Sequence, residues 1–317
     1  MPSIELLPGI AIVPVGMALA ISQFCMVRAV LGGRSGDLSP ARCVLAISTA
    51  IALCLQLIAA VSDVERMPTY SPQLPVLLGG LLFGIAARAN GGCYIGTINE
   101  LCRGQARRWL TVAGWVLGFA LLQRPPLPSH SQRPLELALT LLGLVILLLL
   151  LNRWAHAQRQ VLAPNPSVPW LKGRRAWVLM LSSGILMGLL HQSNLPWHPS
   201  SLARSLGHAL IGEPLTGVVW SGLLLLLGMV LVHAWRGEIQ LQGPRSNDLP
   251  LLFWGVVMAL GTVWGMGAND GYLFRSLPLG SLHAAAGLVA MTAGILLPIR
   301  WSGPHCFVRG HSLWPFN

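Results

Sequence analysis

Two glycines and a cysteine stand together at the end of an apolar run, in the segment RANGGCYIG at residues 88–96. Glycine lets the backbone leave helical geometry and approach a ligand or another helix closely. A thiol beside such a break offers a weak S–H donor and a polarizable sulfur atom, whose natural soft partner is another sulfur. The segment predicts a place where broken backbone and a thiol meet a small solute, formed by Asn90, Gly91, Gly92, Cys93 and Gly96.

A second glycine block repeats the first at a constant offset of 175 residues. GLLFGIAARANGGCYIG at 80–96 aligns with GVVMALGTVWGMGANDG at 255–271, and each block follows a Leu-Pro pair. The alignment predicts an internal duplication. Glycines can also serve plain helix packing, but the second block is polar where packing prefers apolar residues. We therefore add to the candidate site Gly267, Asn269, Asp270 and Gly271.

Composition places both blocks in a membrane protein. Of the 317 residues, 54% are hydrophobic and 10% are charged, and the mean hydropathy is +0.63. A soluble domain of this length needs more surface charge, and an outer-membrane barrel would show short alternating segments. Several runs approach the roughly 20 apolar residues that cross a bilayer. The predicted fold is an all-α polytopic bundle with glycine-broken or re-entrant half-helices.

About nine spans are predicted, of which the third, fourth and sixth are short. The N-terminal stretch lacks a basic region and carries Glu5, which favours a first span over a cleaved signal peptide. The chain is predicted to form one transmembrane domain over 1–317, with repeats at 8–155 and 176–300 and a linker at 156–175. The spans are expected at residues 8–30, 43–61, 74–90, 109–122, 135–151, 176–191, 212–235, 250–268 and 284–299.

Charge alternates between successive connections. The connections and tails on one predicted side of the membrane hold 16 of the 21 Lys and Arg residues. The positive-inside rule then predicts an external N-terminus and a cytoplasmic C-terminus. The alternation also speaks against a nucleic-acid-binding face. The aligned blocks end predicted spans 3 and 8, an odd number apart, so the repeats are expected to be inverted. Inverted repeats with broken helices are typical of transporters.

Few other polar residues lie at membrane depth. Glu100 and Asp270 each follow a glycine block, and an ionisable group in the membrane is by default a functional-site hypothesis; an acid at the interface is the alternative. Arg28 could attract an anion or anchor the end of the first span. His191 and His198 flank QSNLPW after the sixth span, and we expect loop histidines there rather than polar lining.

The six cysteines show no Cys-x-x-Cys or Cys/His spacing of zinc or iron–sulfur sites. The sequence therefore predicts no metal, no cofactor, no catalytic residue and no structural disulfide. Cys43 and Cys54 lie in a plain apolar span and are expected to pack, whereas Cys102 and Cys306 have no supporting context.

Three motifs together resemble one family: SQFCMVRA at 22–29, GGCYIG at 91–96 and GANDGYLFRSLPLG at 267–280. They are similar to the YeeE/YedE family of bacterial membrane proteins, and the resemblance covers about residues 10–300. Members take up thiosulfate or are proposed to move other sulfur or selenium compounds. The resemblance implies a bacterial inner-membrane transporter, not an enzyme. In that family, central cysteines are thought to pass thiosulfate by S–H···S hydrogen bonds; Cys25 and Cys93 match two of them.

One family cysteine has no counterpart here, because Ala268 stands where a third thiol is expected. Asn269 and Asp270 are predicted to act as its polar replacement, and the identity of the anion stays open. The leading prediction is a permease for a small sulfur-containing, thiosulfate-like anion. Two alternatives remain: a membrane thiol-redox protein that uses the two cysteines, and a membrane partner of a soluble sulfur-carrier protein docked on the cytoplasmic face.

Overall fold

The structure is a computed structural model, which describes residues 3–34, 37–61, 68–70, 72–122, 129–131, 141–150, 153, 173–191, 197–214 and 217–297. The described part of the chain is helical almost throughout. In the first half, the helices are α1 (Ser3–Ser22), α2 (Met26–Arg34), α3 (Ser39–Val61), α4 (Leu74–Asn90), α5 (Tyr94–Cys102), α6 (Arg108–Leu121) and α7 (Leu141–Leu150).

The second half follows the same order of long and short helices. Its helices are α8 (Gly173–Leu190), α9 (Pro199–Leu210), α10 (Val218–Trp235), α11 (Pro250–Trp264), α12 (Asn269–Gly271, continued by a π-helical segment at Tyr272–Ser276) and α13 (Leu282–Leu296). A 3₁₀ turn at Ser246–Asp248 precedes α11. Two three-residue strands, β1 (Pro68–Tyr70) and β2 (Ser129–Ser131), pair antiparallel and are an addition to the predicted all-α fold.

Five described segments are long and apolar enough to cross a membrane: Gly9–Gly33, Ser39–Ile58, Leu74–Cys102, Val218–Trp235 and Ser246–Trp264. The protein is thus a multi-pass helical membrane protein, as its composition predicts. The first predicted span, at 8–30, corresponds to the segment Gly9–Gly33. Gln23 and the two residues after it interrupt this segment and separate α1 from α2. Gln23 has φ 49°, a left-handed conformation that ends α1.

Large apolar side chains cover the outside of the bundle. Leu121 is 77% exposed, Trp220 73% and Leu57 69%. Monomeric soluble proteins rarely expose broad apolar patches, whereas in a bilayer such side chains contact lipid tails. This distribution explains why the chain needs so few charged residues.

The two halves exchange helices. Helix α1 packs on α10 and α8 packs on α3, while α4 packs on α13 and α11 packs on α6. Helices α4 and α11 also pack on each other. Each helix in these contacts therefore has a counterpart in the other half that makes the matching contact.

Glycines allow the closest of these crossings. A Cβ on Gly80 of α4 would lie 2.6 Å from the Gly287 carbonyl oxygen in α13. A Cβ on Gly255, the aligned residue in α11, would lie 2.4 Å from the Thr111 carbonyl oxygen in α6. Both separations are too short for a side chain, so these glycines are required by the packing of their helices.

Candidate functional site

The first helix break lies between α4 and α5, at the glycine block. Gly91 follows α4 with φ 79° and ψ 13°, and its N–H bonds back to the last turn of the helix. A left-handed residue at this point is a common way to end a helix. Cys93 then precedes α5 in extended backbone, and its carbonyl accepts the N–H of Thr97 at 2.8 Å. The chain therefore turns within three residues and restarts as a nine-residue helix.

Asn90 holds this break together. Its buried amide donates to the Gly92 carbonyl at 2.9 Å and to the Thr97 hydroxyl at 2.8 Å. Its side-chain oxygen accepts the Thr111 hydroxyl at 2.7 Å. Arg108 donates to the Asn90 carbonyl at 2.5 Å. The amide is thus committed to the backbone and neighbouring helices, which assigns the predicted site residue Asn90 a positioning role.

Two thiols lie in contact at the first helix break. Cys93 Sγ donates to Cys25 Sγ across 3.7 Å, and both residues are buried. The separation is far beyond the roughly 2.05 Å of a disulfide bond, and both cysteines are free. Cys25 directly precedes α2 and Cys93 directly precedes α5. The thiols therefore lie at the N-terminal ends of two helices, where the backbone carries a partial positive charge.

Gly96 packs against the two thiols, which together with the first helix break we call the first site. A Cβ on Gly96 would lie 2.7 Å from Cys25 Sγ and 3.8 Å from Cys93 Sγ. Any side chain there would displace the Cys25 sulfur. Gly92 is less restricted, because a Cβ on it would come no closer than 3.3 Å to Thr97.

The second helix break, between α11 and α12, uses different residues at the aligned positions. Met266, aligned with Gly91, has φ 58°. Ala268, aligned with Cys93, directly precedes α12 in extended backbone. The Gly265 carbonyl, aligned with that of Asn90, accepts the Tyr272 hydroxyl. The backbone path is repeated, but the second break has no thiol.

Asn269 and Asp270 are fully buried at this second break. Asp270 accepts the Ser200 N–H at 2.9 Å and the Gly271 N–H at 2.9 Å, so it joins α12 to the beginning of α9. Neither side-chain polar atom of Asn269 has a hydrogen-bond partner among the described residues. A fully buried amide in this state is rare and costs free energy unless a ligand or water satisfies it.

The remaining predicted residues are not members of the thiol pair, although the backbone N–H and the charge of Arg28 both act on the Cys25 thiol. Arg28 donates to the side chain of Gln23 and so supports the break after α1. Glu100 is 25% exposed and lies 3.7 Å from Arg103. A Cβ on Gly271 would meet nothing within 4 Å. A Cβ on Gly267 would meet the Tyr272 ring at 2.6 Å.

The other cysteines take no part in the thiol pair. Cys43 and Cys54 are buried in α3, and Cys54 Sγ lies 2.8 Å from the place of a Cβ on Gly188. Both therefore sit in helix packing. Cys102 Sγ lies 4.0 Å from the Leu226 carbonyl. Cys306 lies outside the described residues.

A buried polar network at the end of α5 is absent from the sequence prediction. Arg103 pairs with Glu238 at 3.0 Å, and Glu238 also contacts His233 at 2.8 Å. The other ring nitrogen of His233 lies 2.9 Å from the Asn99 side-chain oxygen. The network joins α5 to the end of α10 and so fixes the short helix that begins at Cys93. The residues that pair between the two helices are 130 or more positions apart in the chain. No local pattern in the sequence therefore predicts the network.

Two aromatic residues before α9 are also buried. Trp197 and His198 stack with ring centroids 4.3 Å apart, and both rings contact Phe274. His198, predicted to be a loop histidine, lies in non-helical backbone directly before α9. The side chain, however, is only 5% exposed.

Comparison with known proteins agrees with this architecture. A profile of one protein family, described as sulphur transport, matches residues 21–297. The matched range includes both helix breaks, with Cys25, Cys93 and Asn269. No curated protein matches the chain.

Proposed function

Because the chain belongs to the sulphur transport family, we propose that it is a permease for a small sulfur-containing, thiosulfate-like anion that passes between Cys25 and Cys93. The observation that carries the proposal is the buried S–H···S hydrogen bond between the two thiols. Both thiols stand at helix N-termini, which favour a negative charge. The first site thus combines soft sulfur atoms with an electrostatic environment suited to an anion.

The chemistry of passage is an exchange of weak hydrogen bonds. In the resting pair, Cys93 donates to Cys25. A terminal sulfur of the anion can take the place of the Cys25 sulfur as acceptor, and the two thiols can then hand it on. Since an S–H bond is weak, it is easily made and broken, which favours passage over trapping. Gly91, Gly92 and Gly96 supply the backbone path that brings Cys93 to this point.

The proposed architecture is a pair of inverted repeats around this site. It is supported by the exchange of helices, in which α1 and α8, α3 and α10, and α4 and α11 make matching contacts. Alternating access in such proteins arises from the movement of one repeat against the other. In this proposal, Asn269 and Asp270 are the residues that the second repeat contributes to the path of the anion.

The orientation proposed from the charge distribution is an external N-terminus and a cytoplasmic C-terminus in the bacterial inner membrane. Reporter fusions at residues 165 and 317 test it. Both reporters are expected to behave as cytoplasmic, since both positions follow an odd number of predicted spans. An external signal at either position would remove the basis for inverting the repeats.

Uptake of isotopically labelled thiosulfate and sulfite into proteoliposomes tests the function. Cys93→Ala removes the donor and should abolish uptake, and Cys93→Ser should impair it because oxygen replaces soft sulfur. Cys25→Ala should act like Cys93→Ala. Cys43→Ala and Cys54→Ala are matched controls, since these thiols are also buried but serve packing. Uptake by Cys93→Ala at the wild-type rate would refute the thiol mechanism.

The short distance between the two thiols also favours one second function, a membrane thiol-redox protein. Such a protein would oxidise the pair to a disulfide, releasing two electrons and two protons to an acceptor, and it would not accumulate the anion. Diamide treatment of wild-type protein, followed by alkylation and mass spectrometry, measures whether the pair forms a disulfide. A role as a membrane partner of a soluble sulfur-carrier protein predicts no uptake until that protein is added.

A further inference from the structure

Cys25 and His198 occupy equivalent places in the two halves. Cys25 is the last residue before α2, which follows the break after α1; His198 is the last residue before α9, which follows the break after α8. A buried aromatic residue precedes each of them. Phe24 lies 4.9 Å from the Phe274 ring and Trp197 lies 5.6 Å from the same ring. One aromatic ring thus joins the neighbourhood of the thiols to that of His198.

His198 lies in a group of buried polar atoms without partners. Its Nε2 has no hydrogen-bond partner among the described residues, and the same holds for the Trp197 indole nitrogen and the Asn269 amide. These side chains are 5%, 0% and 0% exposed, respectively. Buried polar groups are nearly always paired in proteins. Three side-chain groups on adjoining elements that have no partner among the described residues therefore favour a polar ligand at this place.

The adjoining elements are held together by a hydrogen bond of their own. The Ser200 N–H in the first turn of α9 donates to Asp270 next to Asn269. Because Asp270 accepts two backbone N–H groups, its carboxylate is already engaged. Among the described residues, the titratable groups that act electrostatically on His198 are His191 and Arg275. Neither of these is an acid, so this part of the surroundings suits an anion.

We propose that His198 is a specificity-determining residue, which donates a hydrogen bond to the oxygen atoms of the permeating anion, and that Asn269 on the adjoining α12 donates a second one. The inference rests on the proposed function. A thiol suits a sulfur atom, whereas a neutral imidazole N–H and an amide N–H suit oxygen. In this proposal, the thiols of the first half bind the sulfur atom of the anion, and the imidazole and amide of the second half bind its oxygen atoms. Cys25 and His198 hold equivalent positions for these two tasks.

Substitutions at His198 separate hydrogen bonding from packing. His198→Phe keeps a ring that can stack on Trp197 but removes the donor, and His198→Gln keeps a donor but removes the ring. We expect labelled thiosulfate uptake to fall about tenfold or more in His198→Phe, from the loss of one hydrogen bond to a charged group. His198→Gln should stay within about threefold of wild type on the same scale. His208→Ala, at a half-exposed histidine of the same helix, is the control.

Two outcomes would overturn the inference: wild-type uptake by His198→Phe, or uptake by His198→Gln as low as that of His198→Phe. If His198→Phe aggregates on size-exclusion chromatography, His198→Leu replaces it as the variant without a donor. Higher uptake by His198→Gln than by His198→Leu supports the role of the donor, and equal uptake by the two contradicts the proposal. Thiosulfate binding to purified protein, measured by equilibrium dialysis, supplies a readout that does not depend on transport.

The same experiments keep this inference separate from the proposed function. Uptake by wild type that is lost in Cys93→Ala but kept in His198→Phe leaves the permease intact and removes the role of His198. Absence of uptake by wild type, with binding that weakens in His198→Phe, removes the permease and leaves the binding residue.

Discussion

The two helix breaks follow the same backbone path but are stabilised by different side chains. After α4, glycine takes the left-handed position, and an asparagine, an arginine and two threonines bond across the turn. After α11, Met266 takes the left-handed position and the Tyr272 hydroxyl bonds the end of the helix. The first break is held by several side-chain hydrogen bonds and presents a thiol. The second leaves the Asn269 amide unpaired.

This difference separates what packing requires from what the site requires. Glycines at the helix crossings are needed in both halves, because backbone touches backbone there. The residues at positions 90, 91 and 93 of the first break differ from the aligned residues 265, 266 and 268 of the second. We interpret the first break as a rigid support for the thiol pair and the second as the place where polar groups remain available to a solute.

The largest contrast is expected between the aligned glycines 96 and 271. Gly96→Ala places a methyl group 2.7 Å from Cys25 Sγ, so it should separate the two sulfurs and reduce anion uptake about tenfold or more, a cost of at least 1.4 kcal/mol in the pathway. Gly271→Ala meets nothing within 4 Å and should transport like wild type. Uptake by both variants in proteoliposomes measures the contrast. Equal losses would mean that both breaks line the path in the same way.

The next contrast is between two buried asparagines. Asn90→Ala removes the side-chain hydrogen bonds to the Gly92 carbonyl and to the Thr97 and Thr111 hydroxyls, although Arg108 keeps its bond to the backbone carbonyl of residue 90. We expect a loss of about 2–4 kcal/mol in the free energy of unfolding. Asn269→Ala removes an amide without partners in the described chain, so its stability should change little while its anion uptake falls. Denaturant unfolding in detergent, run beside uptake, distinguishes the two. A large loss of stability in Asn269→Ala would make that amide structural too.

The smallest contrast concerns the aligned left-handed residues. Gly91→Ala should lower the free energy of unfolding by about 1–2 kcal/mol, since a Cβ is unfavourable at φ 79°. Met266→Gly removes the same strain at φ 58°, and the greater freedom of glycine in the unfolded chain offsets part of the gain. A net stabilisation of about 1 kcal/mol or less is expected. The two shifts in unfolding midpoint should have opposite signs; the same sign would contradict the comparison.

Much of the candidate site could be predicted because its signal is local. The glycine pair next to Cys93 and the repeat at an offset of 175 are visible in single stretches of sequence. The pairing of Cys93 with Cys25 was predicted only through the resemblance to a family. No spacing along the chain indicates that residues 68 positions apart lie 3.7 Å from each other.

Three site residues were predicted with roles that the tertiary structure refines. Asn90 was predicted to lie on the substrate pathway, and its amide and carbonyl make hydrogen bonds within its own break. Asp270 was expected to face the solute, and its carboxylate accepts N–H groups from α9 and α12. Arg28 bonds Gln23 at the break after α1. The sequence shows that these side chains are polar and close to glycines. Their roles depend on their hydrogen-bond partners, which only the tertiary structure shows.

By itself the sequence determined the membrane setting, the helical class and the places where two helices break. These properties follow from composition, from the length of apolar runs and from glycine, all of which act on neighbouring residues. Only the tertiary structure decided that the thiols meet, that the halves exchange helices and that His198 is buried without a partner for its Nε2 in the described chain. Those facts depend on contacts between residues far apart in sequence, where packing of helices in the bundle selects the neighbours.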